Sequence, residues 1–583
     1  MASGTRVQTR SDKAARVLDR MSRKLTRQMA GSLAACVHCG MCTDACHYVL
    51  TNPDDPTYAP AYKADLIRKV FKRHFDWTGR VFPWWVKAKS IYTDQELEEL
   101  KDTVFGKCTN CRRCSINCPM GVDFATVNRM ARGLLVSVGI MPEGVAVVSK
   151  DQWEIGNQMG VLKEEYLETL EWMSEELQGE LGPESGIPID KEGCEVVYSI
   201  NPREVKYDPR TIADAAKIFY LAGESWTMPS EGWDMTNFGL FSGDDDLGGA
   251  VARRLYEKVV ELSGRKLVIS ECGHGYRSTR CEAPNWAGMD VPFEMESSVI
   301  TMLRYIKEGR IEVDKTRNTV PVTFHDSCNN ARSCGLFEEP RELLDLVVTD
   351  FREMHPNRAE NYCCTGGGGA MSMSEYTPRR LKSARVKADQ LKATGAKIVV
   401  TSCHNCVDGL SDLIRHYSLG MQVTQLVNLV ANAAVVEKKV AIPVLVEKAA
   451  AALPLDGYRI LVVDDEADVL AFLGAVLADN GATVIEASDG EQALDLARRE
   501  RPDLITLDLS MPGMDGGVVF ETLRRDPSLA ATRVCIISGR PELRRLIYER
   551  PVPPPEGYLD KPVSEETLLL NVRRILEMEH RSP

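Results

Sequence analysis

The sequence predicts a multidomain protein: an α-helical domain with metal-ligating cysteines, an α/β domain of two half-repeats, and a doubly wound α/β domain at the C-terminus. Three observations lead there. Two runs of four cysteines share one spacing near the N-terminus, a helix–glycine–strand–cysteine unit occurs twice in the middle, and from Gly457 onward apolar strands end in carboxylates, a serine and a lysine.

At 583 residues the chain exceeds what one core encloses, because single cores stop growing at about 250–300 residues. No run approaches about 18 uncharged apolar residues, and the N-terminus lacks an apolar secretory segment, so a cytoplasmic protein without a membrane span is expected. The net charge of −13 argues against nucleic-acid binding, which needs clustered Lys and Arg. Eighteen cysteines grouped at metal-ligand spacings, without an export signal, belong in a reducing compartment.

Residues 1–30 form a basic segment with Arg6, Arg10, Lys13, Arg16, Arg20, Arg23, Lys24 and Arg27 against Asp12 and Asp19. Val17, Leu18, Met21 and Leu25 fall at helical spacing, which suits a docking helix or a membrane-surface element. The cysteine-bearing helical domain is expected over 31–150. A helical linker over 151–190 includes an acidic, helix-favouring stretch from Asp151 to about Glu180. The α/β domain follows over 191–434, a linker without glycine or aromatics over 435–456, and the last domain over 457–583.

Cys36, Cys39, Cys42 and Cys46 read C-x2-C-x2-C-x3-C, and Cys108, Cys111, Cys114 and Cys118 repeat it, with Pro119 after the last. A short loop of this spacing presents three thiolates to one cubane face, and in two-cluster proteins the fourth ligates the other cluster. One 4Fe-4S cubane is therefore expected on Cys36, Cys39, Cys42 and Cys118, the other on Cys108, Cys111, Cys114 and Cys46. Zinc sites more often use two separated C-x2-C knuckles. His47 replaces the proline of the second run, which puts the local turn in question.

Arg253–Cys272 and Ala384–Cys403 align without a gap. Each is a helix, a glycine (Gly264, Gly395), then a strand delivering a cysteine at its C-terminal end, where ligands of open α/β sheets collect. Cys272 is either a buried structural remnant or a group facing the substrate, with His274, Tyr276 and Arg277 expected to lower its pKa. Cys281 and Cys334 are further candidates there, and Cys194 and Cys535 are expected in the core. Gly366–Gly369 lacks the Gly-Lys-Ser/Thr ending of a phosphate loop, so backbone approach to sulfur is the expected use.

Cys328, Cys363, Cys364, Cys403 and Cys406, spaced C-x34-C-C-x38-C-x2-C, resemble the CCG domain of heterodisulfide reductases. That resemblance implies a non-cubane 4Fe-4S cluster on these five cysteines, reducing disulfides one electron at a time. With WTMPSEGWDMTNFGLFSGDD and SECGHGYRSTRCEAPNW, residues 30–434 resemble the family of heterodisulfide reductase D subunits, nearest the K subunit of Dsr and the B subunit of Tmc membrane complexes. The family implies a heterodisulfide-reductase-like oxidoreductase subunit on the cytoplasmic face of the inner membrane. It also implies a membrane cytochrome b-type partner and a DsrC-like sulfur carrier. Trp77–Lys89 (WTGRVFPWWVKAK) fits docking to such a partner or a local core plug bracing the clusters.

At the C-terminus, RILVVDD (Arg459–Asp465), LITLDLSMPGMDG (Leu504–Gly516), VCIISG (Val534–Gly539) and YLDKP (Tyr558–Pro562) read as strand ends of a five-stranded doubly wound sheet. Asp464, Asp465 and Asp508 make an oxygen-rich pocket suited to Mg2+. The region resembles the flavodoxin-like receiver domain of response regulators. That implies Asp508 as phosphoacceptor for a histidine kinase, Lys561 and Ser538 as phosphate contacts and Tyr558 as the packing switch. Pro551–Pro555 departs from the usual pattern of the output surface. A degenerate receiver serving only for interaction is the other reading, and two alternatives stand for the whole chain: an iron-sulfur relay for a glycolate, lactate or glycerol 3-phosphate dehydrogenase, or a redox-sensing signalling protein.

Overall fold

The computed structural model describes residues 10–90, 92–436, 453–538, 552–561, 563 and 565–577. The chain divides into two compact units, Met1–Glu437 and Lys438–Pro583. The basic segment forms a helix, Arg10–Lys24, whose Val17 and Met21 are buried. Arg20 donates to Asp244 and Asp246 and Lys24 to Asp245, so two of its charges pair with an acidic turn of this protein, while Lys13 pairs with Asp94 and Arg23 with Asp19. Arg6 lies outside the described residues.

Helices Arg27–Ala35, Pro60–Phe75, Asp94–Gly106 and Phe124–Val136 bury Leu33, Ile67, Leu100, Val104 and Leu135 in one core. Thr93 and Glu96 cap the third reciprocally, satisfying donors that the first turn leaves free. The acidic stretch is two helices and not one, Glu143–Glu154 and Lys163–Leu181. Asn157 Oδ1 accepts from the Met159 and Val161 N–H groups and so stabilises the turn between them.

The α/β domain holds two parallel sheets. Strands β1 (Val196–Ser199), β2 (Trp226–Thr227), β3 (Lys266–Ile269) and β4 (Glu294–Ser297) are ordered β2-β1-β3-β4, and β5 (Val322–His325), β6 (Ile398–Thr401) and β7 (Gln422–Gln425) are ordered β5-β6-β7. The duplication reaches beyond the aligned segments: β4 and β7 each run directly into a helix, Ser298–Lys307 and Leu426–Ala433. The two helix-end glycines do different jobs. Gly395 takes the left-handed conformation, φ 63°, whereas in the first half Ser263 takes it (φ 53°) and Gly264 is small because an added Cβ would lie 2.4 Å from Val197.

In the second unit, strands β8 (Arg459–Val463), β9 (Thr483–Ala487), β10 (Leu504–Leu507), β11 (Arg533–Ser538) and β12 (Gly557–Asp560) form a parallel sheet ordered β12-β11-β10-β8-β9. Ile460 and Val462 enter one core, Leu461 and Val463 the other, as a strand covered by helices on both faces requires. Leu455, at the end of the expected linker, is buried in this unit, and the rest of that linker from 437 to 452 lies outside the described residues, as do Gly539, Pro551 and Pro562. No helix among the described residues is long and apolar enough to cross a membrane.

Candidate redox centre and phosphoacceptor site

The two cysteine runs fold as adjoining loops. Cys46, Cys108, Cys111 and Cys114 line one cavity together with His47, Lys63 and Asn128, while Cys42 neighbours Cys36, Cys118 and Cys46. Cys46 thus sits with the second run, and Cys118 lies near Cys42 of the first. Burial pushes Cys42 up to about 11 and raises Cys46 and Cys114. Thiols so placed ionise only beside a cation, so the donor set suits thiolate-bound iron. His47, in the proline position, is buried and within hydrogen-bonding reach of Cys111.

The five-cysteine site lies at the C-terminal ends of β5 and β6. Cys328 opens a turn after β5, and Cys403 caps the helix His404–His416 after β6. All five thiols are buried. Cys364 Sγ and Cys406 Sγ are 3.2 Å apart, and Cys363 is within hydrogen-bonding reach of Cys111, Cys328 and Cys364. Backbone N–H groups of Thr365 and Gly366 donate to Cys363 and Cys364 sulfurs at 3.2 and 3.4 Å, as the glycine run suggested. Gly368 has φ 67° and lies so near Thr109 O that an added Cβ would be 2.5 Å away. Within this shell the Thr365 hydroxyl and His404 Nδ1 have no hydrogen-bond partner among the described residues. Adjacent thiols, aimed N–H donors and unmatched polar atoms together fit a metal–sulfur group held by Cys328, Cys363, Cys364, Cys403 and Cys406.

This site meets the helical domain directly. Thr109 Oγ1 is 3.4 Å from Cys363 Sγ. Arg132, 0% exposed, donates to the carbonyls of Val104, Phe241, Gly368 and Cys108. Arg332 reaches the Cys111 carbonyl at 2.6 Å.

Several groups around the thiols escaped the sequence reading. His325 lies within 4.8 Å of the Cys364 and Cys406 sulfurs, and Lys387, fully buried, donates to Asn361 at 2.7 Å and is pulled down to about 7 by burial. Glu204 and His404 form a buried pair 2.9 Å apart. Although burial opposes it, His404 holds the Glu204 carboxyl below its ordinary range. The one available signal was position, since His325 ends a strand and His404 follows Cys403.

Cys272 is brought to the same centre. Like Cys403 it caps the helix after its strand, and the next N–H, of Gly273, donates to the Cys403 sulfur. Its pKa moves opposite to expectation: the thiol is 0% exposed and burial raises it well above the ordinary range. His274, 3.2 Å away, is held neutral by burial at about 3 and gives no stabilising charge. Cys194 and Cys535 are core cysteines, as expected.

Trp77, Trp84 and Trp85 are 71%, 76% and 76% exposed, so Trp77–Lys89 is a surface element and the core-plug alternative fails.

In the second unit Asp464, Asp465 and Asp508 place carboxylate oxygens within 4.8 Å of one another. Lys561 Nζ lies 2.9 Å from Asp508 and 2.7 Å from Asp464, and against burial these carboxylates raise its pKa. Ser538 ends β11, buried, and its carbonyl accepts from the Lys561 N–H. Tyr558 is buried in the core beside it. The oxygen donor set fits a hard divalent cation.

Comparison with known proteins agrees with this layout. A 4Fe-4S dicluster domain matches residues 32–122, a cysteine-rich domain 322–410 and a response regulator receiver domain 460–573. The chain is 28% identical over 447 residues to the Hdr-like menaquinol oxidoreductase iron-sulfur subunit 2 of Archaeoglobus fulgidus, covering 69% of this chain and 79% of that one. It is 26% identical over 424 residues to the D subunit of the dihydromethanophenazine:CoB–CoM heterodisulfide reductase of Methanosarcina mazei, covering 72% and 98%. Protein PilH of Pseudomonas aeruginosa is 34% identical over 118 residues, 20% of this chain and 97% of PilH. The C-terminal domain belongs to the response regulator receiver family, and the residues before it are similar to heterodisulfide-reductase-like iron–sulfur subunits. The matched cysteine-rich domain lies within the second half-repeat, ending before β7, and β1–β4 with Cys272 fall outside it.

Proposed function

We propose that this chain is the electron-relaying and catalytic iron–sulfur subunit of a membrane-associated redox complex, acting on a disulfide or trisulfide of a DsrC-like sulfur carrier in anaerobic sulfur metabolism. Clusters bound at the three thiol sets would supply one-electron redox chemistry. The contact between the helical domain and the five-cysteine site, with Thr109 3.4 Å from Cys363, carries this reading: it puts the cavity of Cys46, Cys108, Cys111 and Cys114 against the vicinal pair. Arg132 and Arg332 hold the two together through backbone carbonyls of both cysteine loops. The exposed Trp84 and Trp85, followed by Lys87 and Lys89, would seat the subunit on the cytoplasmic face of a membrane cytochrome b-type partner. Asp508 would accept a phosphoryl group from a histidine kinase, with Asp464 and Asp465 holding Mg2+ and Lys561 and Ser538 holding the phosphate.

Anaerobic co-purification of the native complex tests the proposal. A b-type haem subunit and a carrier with two C-terminal cysteines are expected; a flavoprotein dehydrogenase partner without either would contradict it.

A further inference from the structure

Two π-helical turns lead from the half-repeats to the surface. Arg277–Glu282 follows Cys272 and carries Cys281; Cys328–Ser333 begins at Cys328 and is closed by Cys334. Such turns are rare and concentrate at functional sites. Cys281 Sγ and Cys334 Sγ lie 3.8 Å apart. Cys281 is exposed, whereas Cys272, Cys328, Cys363, Cys364, Cys403 and Cys406 are buried, so a disulfide carried on another protein could meet Cys281 but not those thiols. Arg277 links the pair inward, donating to Glu282 at 2.9 Å and to Asn329, next to Cys328, at 3.3 Å.

We propose that Cys281 and Cys334 are a redox-active dithiol, the surface exchange site at which this subunit meets a disulfide-bearing partner. Its electron supply rests on the relay proposed above. A hydrogen bond from Cys334 is the largest influence pulling Cys281 down to about 6; Arg280 and Arg277 add to it, while burial and Glu282 oppose. Cys281 is thus the thiolate nucleophile at neutral pH and Cys334 the thiol that keeps its proton. The Cys281 thiolate attacks one sulfur of the partner disulfide, forming a mixed disulfide as the other sulfur leaves as a thiolate and takes up a proton. Cys334 then loses its proton and attacks the Cys281 sulfur, and the second partner sulfur leaves and is protonated. The partner gains two electrons and two protons, and a Cys281–Cys334 disulfide remains. Resetting it to the Cys281 thiolate and the Cys334 thiol takes two electrons and one proton, the electrons arriving singly from the iron–sulfur relay.

The test treats the full chain, purified anaerobically with its iron, with 2-hydroxyethyl disulfide, then alkylates, digests and identifies peptides by mass spectrometry. A peptide pair joined through Cys281 and Cys334, undone by dithiothreitol, is expected. Cys334→Ser should trap mercaptoethanol on Cys281, and Cys281→Ser should slow adduct formation at Cys334 at least ten-fold. Recovery of both cysteines as free alkylated thiols in iron-replete protein overturns the proposal. Iron content and the paramagnetic spectrum are recorded on the same sample. Absent iron would defeat the relay reading, while the joined peptides would still report on the dithiol.

Discussion

The two half-repeats of the α/β domain share strands, crossover helices and the helix that follows the last strand, but differ at the strand ends. In the second half those ends carry Cys328 and, after β6, Cys403 and Cys406; in the first, Asn201 follows β1 and Cys272 stands alone after β3. Gly275 occupies the place of Cys406, and an added Cβ there would lie 2.3 Å from Met235 Sδ, so that space has been filled. The scaffold depends on buried strands such as Val197, Leu267 and Val399, the chemistry on a few loop residues. The first half therefore keeps the shared fold without those cysteines, and its Cys272 and Gly273 line the other half's site.

The sharpest way to break that contrast is a pair of serine substitutions. Cys363→Ser should abolish the paramagnetic signal of the five-cysteine site and leave the other two centres intact. Cys272→Ser should keep the signal and only perturb it. Equal effects in electron paramagnetic resonance would mean that the halves are not divided as described.

A second contrast separates the redox unit from the receiver. Acetyl phosphate with Mg2+ should label wild type, and labelling should vanish in Asp508→Asn while the iron signals stay unchanged. Retained labelling, measured by intact-protein mass, would remove Asp508 from its role.

Arg132→Ala should destabilise the first unit by about 3 kcal/mol, because four carbonyls, three of them in buried hydrogen bonds, lose their donor. In chemical denaturation the transition of the receiver should not move.

The smallest effect concerns the seam between the halves. Asp214, in the first half, accepts from Asn428 of the second at 2.8 Å, and burial raises its pKa to about 6. A raised carboxyl pKa means the folded state holds its proton where the unfolded state has lost it. Its contribution is therefore full below about pH 4, where the unfolded carboxyl is still protonated, and falls as pH rises to 6. The fall should be about 2–3 kcal/mol, and Asp214→Asn should flatten that part of the stability–pH curve.

Much of this was legible because it is local. Cysteine spacing announces a loop that wraps a metal, and Asp464, Asp508 and Lys561 sit at strand ends that periodicity alone locates. What the sequence withheld depends on distant partners. Arg132 looks like any helical arginine until Phe241 and Gly368 are packed against it, and Lys387 looks like a surface charge until Asn361 and Cys364 surround it. The Cys272 neighbours suggested a stabilised thiolate, but burial, which no short motif encodes, reversed the direction. Cys281 and Cys334 are 53 positions apart in sequence, and only the fold shows them touching.

The central claim is that thiolates bind iron at three adjoining places in one chain. Iron and acid-labile sulfide analysis of anaerobically purified protein, with redox-titrated paramagnetic resonance, tests it most directly. Three distinguishable iron–sulfur centres are expected; zinc in the cysteine sites, or one centre alone, would contradict it.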